Sequence, residues 1–156
     1  MDDANQMLVK DVMTKKVITA KPDDSILEIA DVMSKNRFHG IPVVSGDKVV
    51  GIVTETDFFT KDASRLFLPS FIFFLGKNRI REKLPAVKQA EMEKLMKTQV
   101  KDVMSTPCRT VSEEMPVSEL LEFFRKTGLT TIPVVNRAEN LAGIITLNDI
   151  LILLKV

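Results

Sequence analysis

Three short blocks occur twice in this chain of 156 residues, in the same order and at nearly the same spacing. Val9-Lys10-Asp11-Val12-Met13-Thr14 returns 91 residues later as Val100-Lys101-Asp102-Val103-Met104-Ser105. Ile41-Pro42-Val43-Val44 returns at the same interval as Ile132-Pro133-Val134-Val135. Gly51-Ile52-Val53-Thr54, with Asp57 three residues on, returns 92 residues later as Gly143-Ile144-Ile145-Thr146 with Asp149. The extra residue falls where Ser45-Gly46-Asp47-Lys48 becomes Asn136-Arg137-Ala138-Glu139-Asn140, and turns absorb insertions most easily. A duplication of this kind makes each copy one supersecondary unit and directs the copies to complete a common core.

Both copies predict the same order of elements. A short strand comes first, over Lys16–Thr19 or Cys108–Val111. A helix follows, with Ile26, Ile29, Ala30 and Met33 on one face of the first copy and Val117, Leu120, Leu121 and Phe124 on that of the second. Ser25 and Glu28 have the spacing of a capping box, and Pro116 suits a first helical turn. Two strands then make a hairpin, Gly40–Val44 with Val49–Val53 and Thr131–Val135 with Leu141–Ile145, and a second helix starts after Thr54 or Thr146. The fold class is α+β: two β-α-β-β-α repeats, residues 7–59 and 99–155, with an insertion over 60–99. A repeat of roughly 50 residues is too small to bury its own sheet and helices. The expectation is therefore one module, with the repeats packed sheet to sheet about a pseudo-twofold axis.

Composition narrows the function. The chain carries 22 basic and 21 acidic residues, a net charge of +1, and lacks the basic excess of a nucleic-acid binder. At 45% hydrophobic it has material for a packed core. Its one cysteine, Cys108, cannot form an internal disulfide, and the N-terminus Met1-Asp2-Asp3-Ala4 has no apolar run of a secretory signal, so a cytoplasmic setting is expected. No metal-ligand cluster, nucleophile with its base, or phosphate loop is visible, so an enzyme is not expected.

The two Thr-x-x-Asp steps, Thr54 to Asp57 and Thr146 to Asp149, are the most suggestive chemistry. A helix start offers unpaired N–H groups to a phosphate, a threonine hydroxyl can both cap and donate, and an aspartate can accept two hydrogen bonds from a ribose diol. The same spacing equally makes a capping box without any ligand. Pro42 and Pro133 have no N–H, which leaves an apolar wall and a free neighbouring carbonyl for a flat ring.

Taken together, the duplicated Val-Lys-Asp-Val-Met, Ile-Pro-Val-Val and Gly-x-x-Thr-x-x-Asp blocks resemble the tandem CBS (cystathionine β-synthase) domains of a Bateman module. The resemblance implies a non-catalytic sensor that binds adenosyl compounds (AMP, ADP, ATP or S-adenosylmethionine-like) in two clefts and signals to an unidentified protein partner. It implies no obligatory cofactor, and a homodimer paired through its helices. By position it assigns Thr54 and Asp57 to phosphate and ribose in one cleft, and Thr146 and Asp149 in the other. Ile41, Pro42 and Val43, and Ile132, Pro133 and Val134, would line the base, with further contacts from Ile18 and Thr19 or Arg109 and Thr110.

Arg37 and His39 precede Ile41, where the second repeat has Gly128 and Thr130. Arg37 either meets phosphate or sits solvated at a helix end, and Arg109 either serves the second cleft or is an exposed strand residue. His39 either bonds a phosphate or is a polar strand-edge residue. Cys108 reads as a small buried hydrophobe. The helix after Asp149, Ile150-Leu151-Ile152-Leu153-Leu154, is apolar nearly all round, as for a dimer contact.

The insertion carries nine basic and four acidic residues, leaving −4 for the rest of the chain. Its apolar arm, 66–75, is broken by Pro69 and falls short of the roughly 20 residues of a membrane span. Six of the nine phenylalanines lie between Phe58 and Phe74, so the arm reads as an interface, on the module or across a dimer. Peripheral membrane contact aided by Lys77, Arg79, Arg81 and Lys83 is the less favoured reading. A polar helix from Pro85 to Thr98 would lead back to the second repeat. The alternative to a ligand sensor is a structural module with empty clefts that uses the arm to hold a protein or membrane surface.

Overall fold

The computed structural model describes residues 7–58, 93 and 96–155. The apolar arm 66–75, the basic cluster from Lys77 to Lys83 and most of the helix expected over Pro85 to Thr98 lie outside the described residues.

The described chain is α+β, with small sheets and short helices. In order it runs α1 (Val9–Val12), α2 (Ile26–Asn36), β1 (Gly40–Ser45), β2 (Lys48–Thr54), a 3-10 turn (Glu55–Phe58), α3 (Val100–Val103), β3 (Val111–Ser112), α4 (Val117–Thr127), β4 (Thr131–Val135), β5 (Leu141–Thr146) and α5 (Leu147–Leu153). One sheet is β1-β2 and the other β3-β4-β5.

The chain divides into two compact units that do not coincide with the two repeats. The first contains Met1–Ile18, Val44–Val50 and Pro107–Val156; the second contains Thr19–Val43 and Gly51–Thr106. Each repeat's opening block has thus gone to the other repeat. In the first unit the Val9 and Lys10 N–H groups donate to the carbonyls of Met115 (2.9 Å) and Glu113 (3.0 Å). Thr14 and Ile144 exchange both backbone bonds at 2.9 Å, and Lys10 pairs with Glu114 at 3.0 Å. The second unit repeats this bonding. Val100 and Lys101 donate to Asp24 and Pro22 at 2.9 Å, Ser105 and Ile52 exchange bonds at 2.9 and 3.2 Å, and Lys101 pairs with Asp23 at 2.8 Å.

The docking explains the residues that define the repeat. Val9 and Val100 are fully buried, each contributing about 1.5–3 kcal/mol by transfer from water. Asp11 and Asp102 accept the N–H groups of Leu8 and Gln99 at 2.9 Å, closing the first turn of α1 and α3. Met13 and Met104 lie over Gly143 and Gly51. A methyl group at Gly143 would sit 2.5 Å from Met13 Sδ and 2.8 Å from the Thr14 carbonyl oxygen, and one at Gly51 would sit 2.8 Å from Met104 Sδ. Only glycine admits this approach.

The core of the first unit is built from Val9, Val111, Val117, Leu120, Phe124, Ile132, Val134, Ile145 and Ile150, with Met13 and Met115 packed against it. In the second unit Ile26, Ile29, Ala30 and Met33 are all buried, as the period of α2 requires. Leu121, assigned to the inner face of α4, is instead 39% exposed.

Four local expectations are corrected. No strand forms over Lys16–Thr19; one parallel bridge, Ala20 to Val43, stands there, with Ala20 donating to the Pro42 carbonyl at 2.9 Å. Pro42 has no N–H to extend a ladder. The strand expected over Cys108–Val111 is likewise reduced to Val111–Ser112, parallel to β4. Ser25 is the N-cap of α2 without a side-chain cap bond, and the Ile26 N–H at the start of the helix goes to the Thr98 carbonyl (3.1 Å) of the exchanged segment. Pro116 caps α4 from one residue before its first turn, and the Val117 N–H goes to Met7 (2.9 Å).

Candidate functional site

At the end of β2, Thr54 and Asp57 face each other across the 3-10 turn, both half-buried. Asp57 Oδ2 accepts the Thr54 N–H at 2.7 Å and the Thr54 hydroxyl at 3.2 Å. Asp57 Oδ1 accepts the Ser105 hydroxyl at 3.1 Å. At the end of β5 the second copy forms a full capping box. Asp149 Oδ2 accepts the Thr146 N–H at 2.7 Å and hydroxyl at 2.9 Å, and Thr146 Oγ1 receives the Asp149 N–H at 3.2 Å. Among the described residues, no hydrogen bond reaches Asp149 Oδ1. At Asp149 the capping and ligand readings are therefore compatible, since the cap uses one carboxylate oxygen and leaves the other, whereas at Asp57 the second oxygen meets Ser105.

The strands behind these steps are buried. Ile41, Pro42 and Val43 on β1 and Ile132, Pro133 and Val134 on β4 all lie in the interior. β4 runs antiparallel to β5 with Ile132 opposite Ile145 and Thr131 opposite Thr146. The end of each hairpin is closed by a backbone bond, from Glu55 to the His39 carbonyl at 3.3 Å and from Leu147 to the Thr130 carbonyl at 2.9 Å. These bonds take up the first N–H after each threonine, so a phosphate at either step would have to rely on later N–H groups and side chains.

The remaining candidates are more peripheral. Ile18 and Thr19 are exposed, with Ile18 in the first unit and Thr19 in the second. Arg37 is exposed and ends α2 in the left-handed region, at φ 54°. His39 Nδ1 lies 3.1 Å from Glu55 Oε1, and both side chains are exposed. Arg109 is exposed and Thr110 half-buried. Burial pushes the Cys108 thiol up to about 11, which leaves it protonated and unreactive at neutral pH. Among the described residues, no group of three or more His, Cys, Asp or Glu side chains could hold a metal. Among them, too, no helix is long and apolar enough to cross a membrane.

Two residues at these sites were not singled out from the sequence. Ser105 reaches Asp57 from 48 residues away, and nothing local announces that contact. Thr131 is a buried polar residue at 7% exposure where the first repeat has Gly40, and it opens the expected strand Thr131–Val135, opposite Thr146.

A family model described as the CBS domain matches residues 9–64 and 100–156. The uncharacterized protein MJ1426 of Methanocaldococcus jannaschii is 29% identical, over 93% of this chain and 89% of its own length. Among solved structures, the CBS domain of a CBS domain-containing membrane protein from Sphaerobacter thermophilus is 28% identical with a TM-score of 0.73, over 96% of this chain and 89% of that one. The CBS domain pair of protein MJ0100, in complex with 5′-methylthioadenosine and S-adenosyl-L-methionine, is 26% identical with a TM-score of 0.66, over 95% of each chain. Other relatives are longer: this chain spans 16% of chloride channel protein D from Dictyostelium discoideum and 22% of an inosine-5′-monophosphate dehydrogenase from Methanocaldococcus jannaschii. With both repeats matched and the repeat-defining residues accounted for by the packing, the chain belongs to the CBS domain family, as a tandem pair.

Proposed function

We propose that this CBS pair is a non-catalytic sensor that binds an adenosine-bearing ligand through Thr54 and Asp57 in one repeat and Thr146 and Asp149 in the other, and passes the bound state to a protein partner. The observation that carries the reading is the second carboxylate oxygen of Asp149. It lies beside a capping box that fixes the side chain, at the end of β5, whose partner strand β4 carries the buried Ile132-Pro133-Val134. A vicinal diol supplies two donors, and a carboxylate oxygen with both lone pairs open takes both. The complex of the MJ0100 pair with 5′-methylthioadenosine and S-adenosyl-L-methionine supports a ribose-bearing ligand. The repeats are taken as residues 7–59 and 99–155. A homodimer is taken as the working form, supported by the exposure of Leu147, Leu151 and Ile152 along α5; a cytoplasmic setting stays an expectation from the sequence.

Calorimetric titration with AMP, 5′-methylthioadenosine and S-adenosylmethionine tests this. Asp149→Asn keeps a carbonyl oxygen for the Thr146 N–H, so the turn survives, but it can turn an amide donor toward the diol. At least one of the three ligands is expected to bind, and Asp149→Asn to weaken it about tenfold or more. No heat from any of them at millimolar concentration would sink the proposal.

A further inference from the structure

The two aspartates are alike in sequence but not in what surrounds them, and the difference lies in the exchanged segments. Ser105 and Thr14 occupy equivalent places at the ends of the two opening blocks. Both are pinned by paired backbone bonds, Ser105 to Ile52 and Thr14 to Ile144. Ser105 spends its hydroxyl on Asp57 Oδ1 at 3.1 Å, whereas among the described residues Thr14 makes no such bond to Asp149. Asp57 Oδ2 is already filled by the Thr54 N–H and hydroxyl, and Asp149 Oδ2 by the same groups of Thr146. Each carboxylate therefore has only Oδ1 to offer a diol. An oxygen accepts about two hydrogen bonds, so Asp149 can take both ribose hydroxyls while Asp57 has one place left.

We infer that Ser105 is an internal competitor for the diol-binding aspartate of the first repeat, and that it makes the two sites unequal, with the Asp149 site the tighter. This rests on the nucleotide-binding reading above and gives it an order of filling. A ligand at Asp57 must displace the Ser105 hydroxyl or bind through one ribose hydroxyl. A hydrogen bond to a charged acceptor, lost or exchanged, corresponds to about a tenfold change in affinity.

The test is calorimetry with AMP on the full chain in an Asp149→Asn background, where the second-repeat site is weakened and any change made by a Ser105 variant is read at the first-repeat site. Ser105→Ala is expected to tighten AMP about tenfold there. It should have no effect on 2′,3′-dideoxyadenosine 5′-monophosphate, which has no diol. Ser105→Thr keeps the hydroxyl and should behave as the parent, and Thr14→Ala should change neither site; circular dichroism confirms that each variant is folded. If AMP binds but Ser105→Ala leaves its affinity unchanged or weakens it, the competition is wrong while the nucleotide reading stands. If the unmodified chain binds none of AMP, 5′-methylthioadenosine and S-adenosylmethionine, both fall together.

Discussion

Arg37 shows how a residue can be placed for a reason that its helix does not supply. It ends α2 at φ 54°, where its N–H donates to the carbonyls of Met33 and Ser34. The same position in α4 is Gly128, at φ 67°. A side chain in the left-handed region costs about 1–2 kcal/mol, offset in part by the extra freedom glycine brings to the unfolded chain. Arg37→Gly is therefore expected to stabilise the fold by roughly 0.5–1 kcal/mol, read from the urea midpoint. If the guanidinium serves a bound phosphate, the same variant weakens AMP. A lowered midpoint would show instead that Arg37 earns its place through contacts within the protein. The motif positions themselves were legible residue by residue: Thr54, Asp57, Thr146 and Asp149 stand at the turns that the Gly-x-x-Thr-x-x-Asp spacing marks. The backbone strain at Arg37 and the reach of Ser105 were not, because φ and a contact across 48 residues leave no local pattern.

At the scale of elements, the helices and hairpins followed from period and turn chemistry, but the destination of the opening blocks did not. Val9-Lys10-Asp11-Val12-Met13 and Val100-Lys101-Asp102-Val103-Met104 are identical, and the glycines that receive them sit in near-identical strands. A hydrophobic pattern cannot distinguish two equivalent sockets; only chain geometry does. Hydrogen exchange can. Val9→Ala removes two buried methyl groups from the core that holds Val117, Leu120 and Ile145, at about 2 kcal/mol. Faster amide exchange is expected in residues 107–153, with residues 26–43 much less affected, and Val100→Ala should give the reverse. If Val9→Ala loosened its own repeat first, the exchanged docking would be wrong.

For the whole molecule, the consequence is that neither repeat is a complete unit of folding. A fragment of residues 99–155 lacks the Met7 carbonyl that receives the Val117 N–H, and it lacks the Val9 side chain, which is fully buried in the first unit. A fragment of residues 7–59 lacks Thr98, Val100 and Lys101, whose backbone groups bond Ile26, Asp24 and Pro22. Buried backbone groups without partners and a core missing one wall are costs that a unit of this size cannot carry. Each fragment alone is therefore expected to be unfolded as a monomer, and mixing the two should restore helical circular dichroism and a cooperative urea transition. Because the sockets are equivalent, a single fragment at high concentration has one other route, which is to exchange blocks with a second copy of itself. Sedimentation would then find every folded species to be at least a pair of fragments. A monomeric 99–155 fragment that unfolds cooperatively would show that the repeat can close on its own block, and the exchange would then be an accident of packing, not a requirement of the fold.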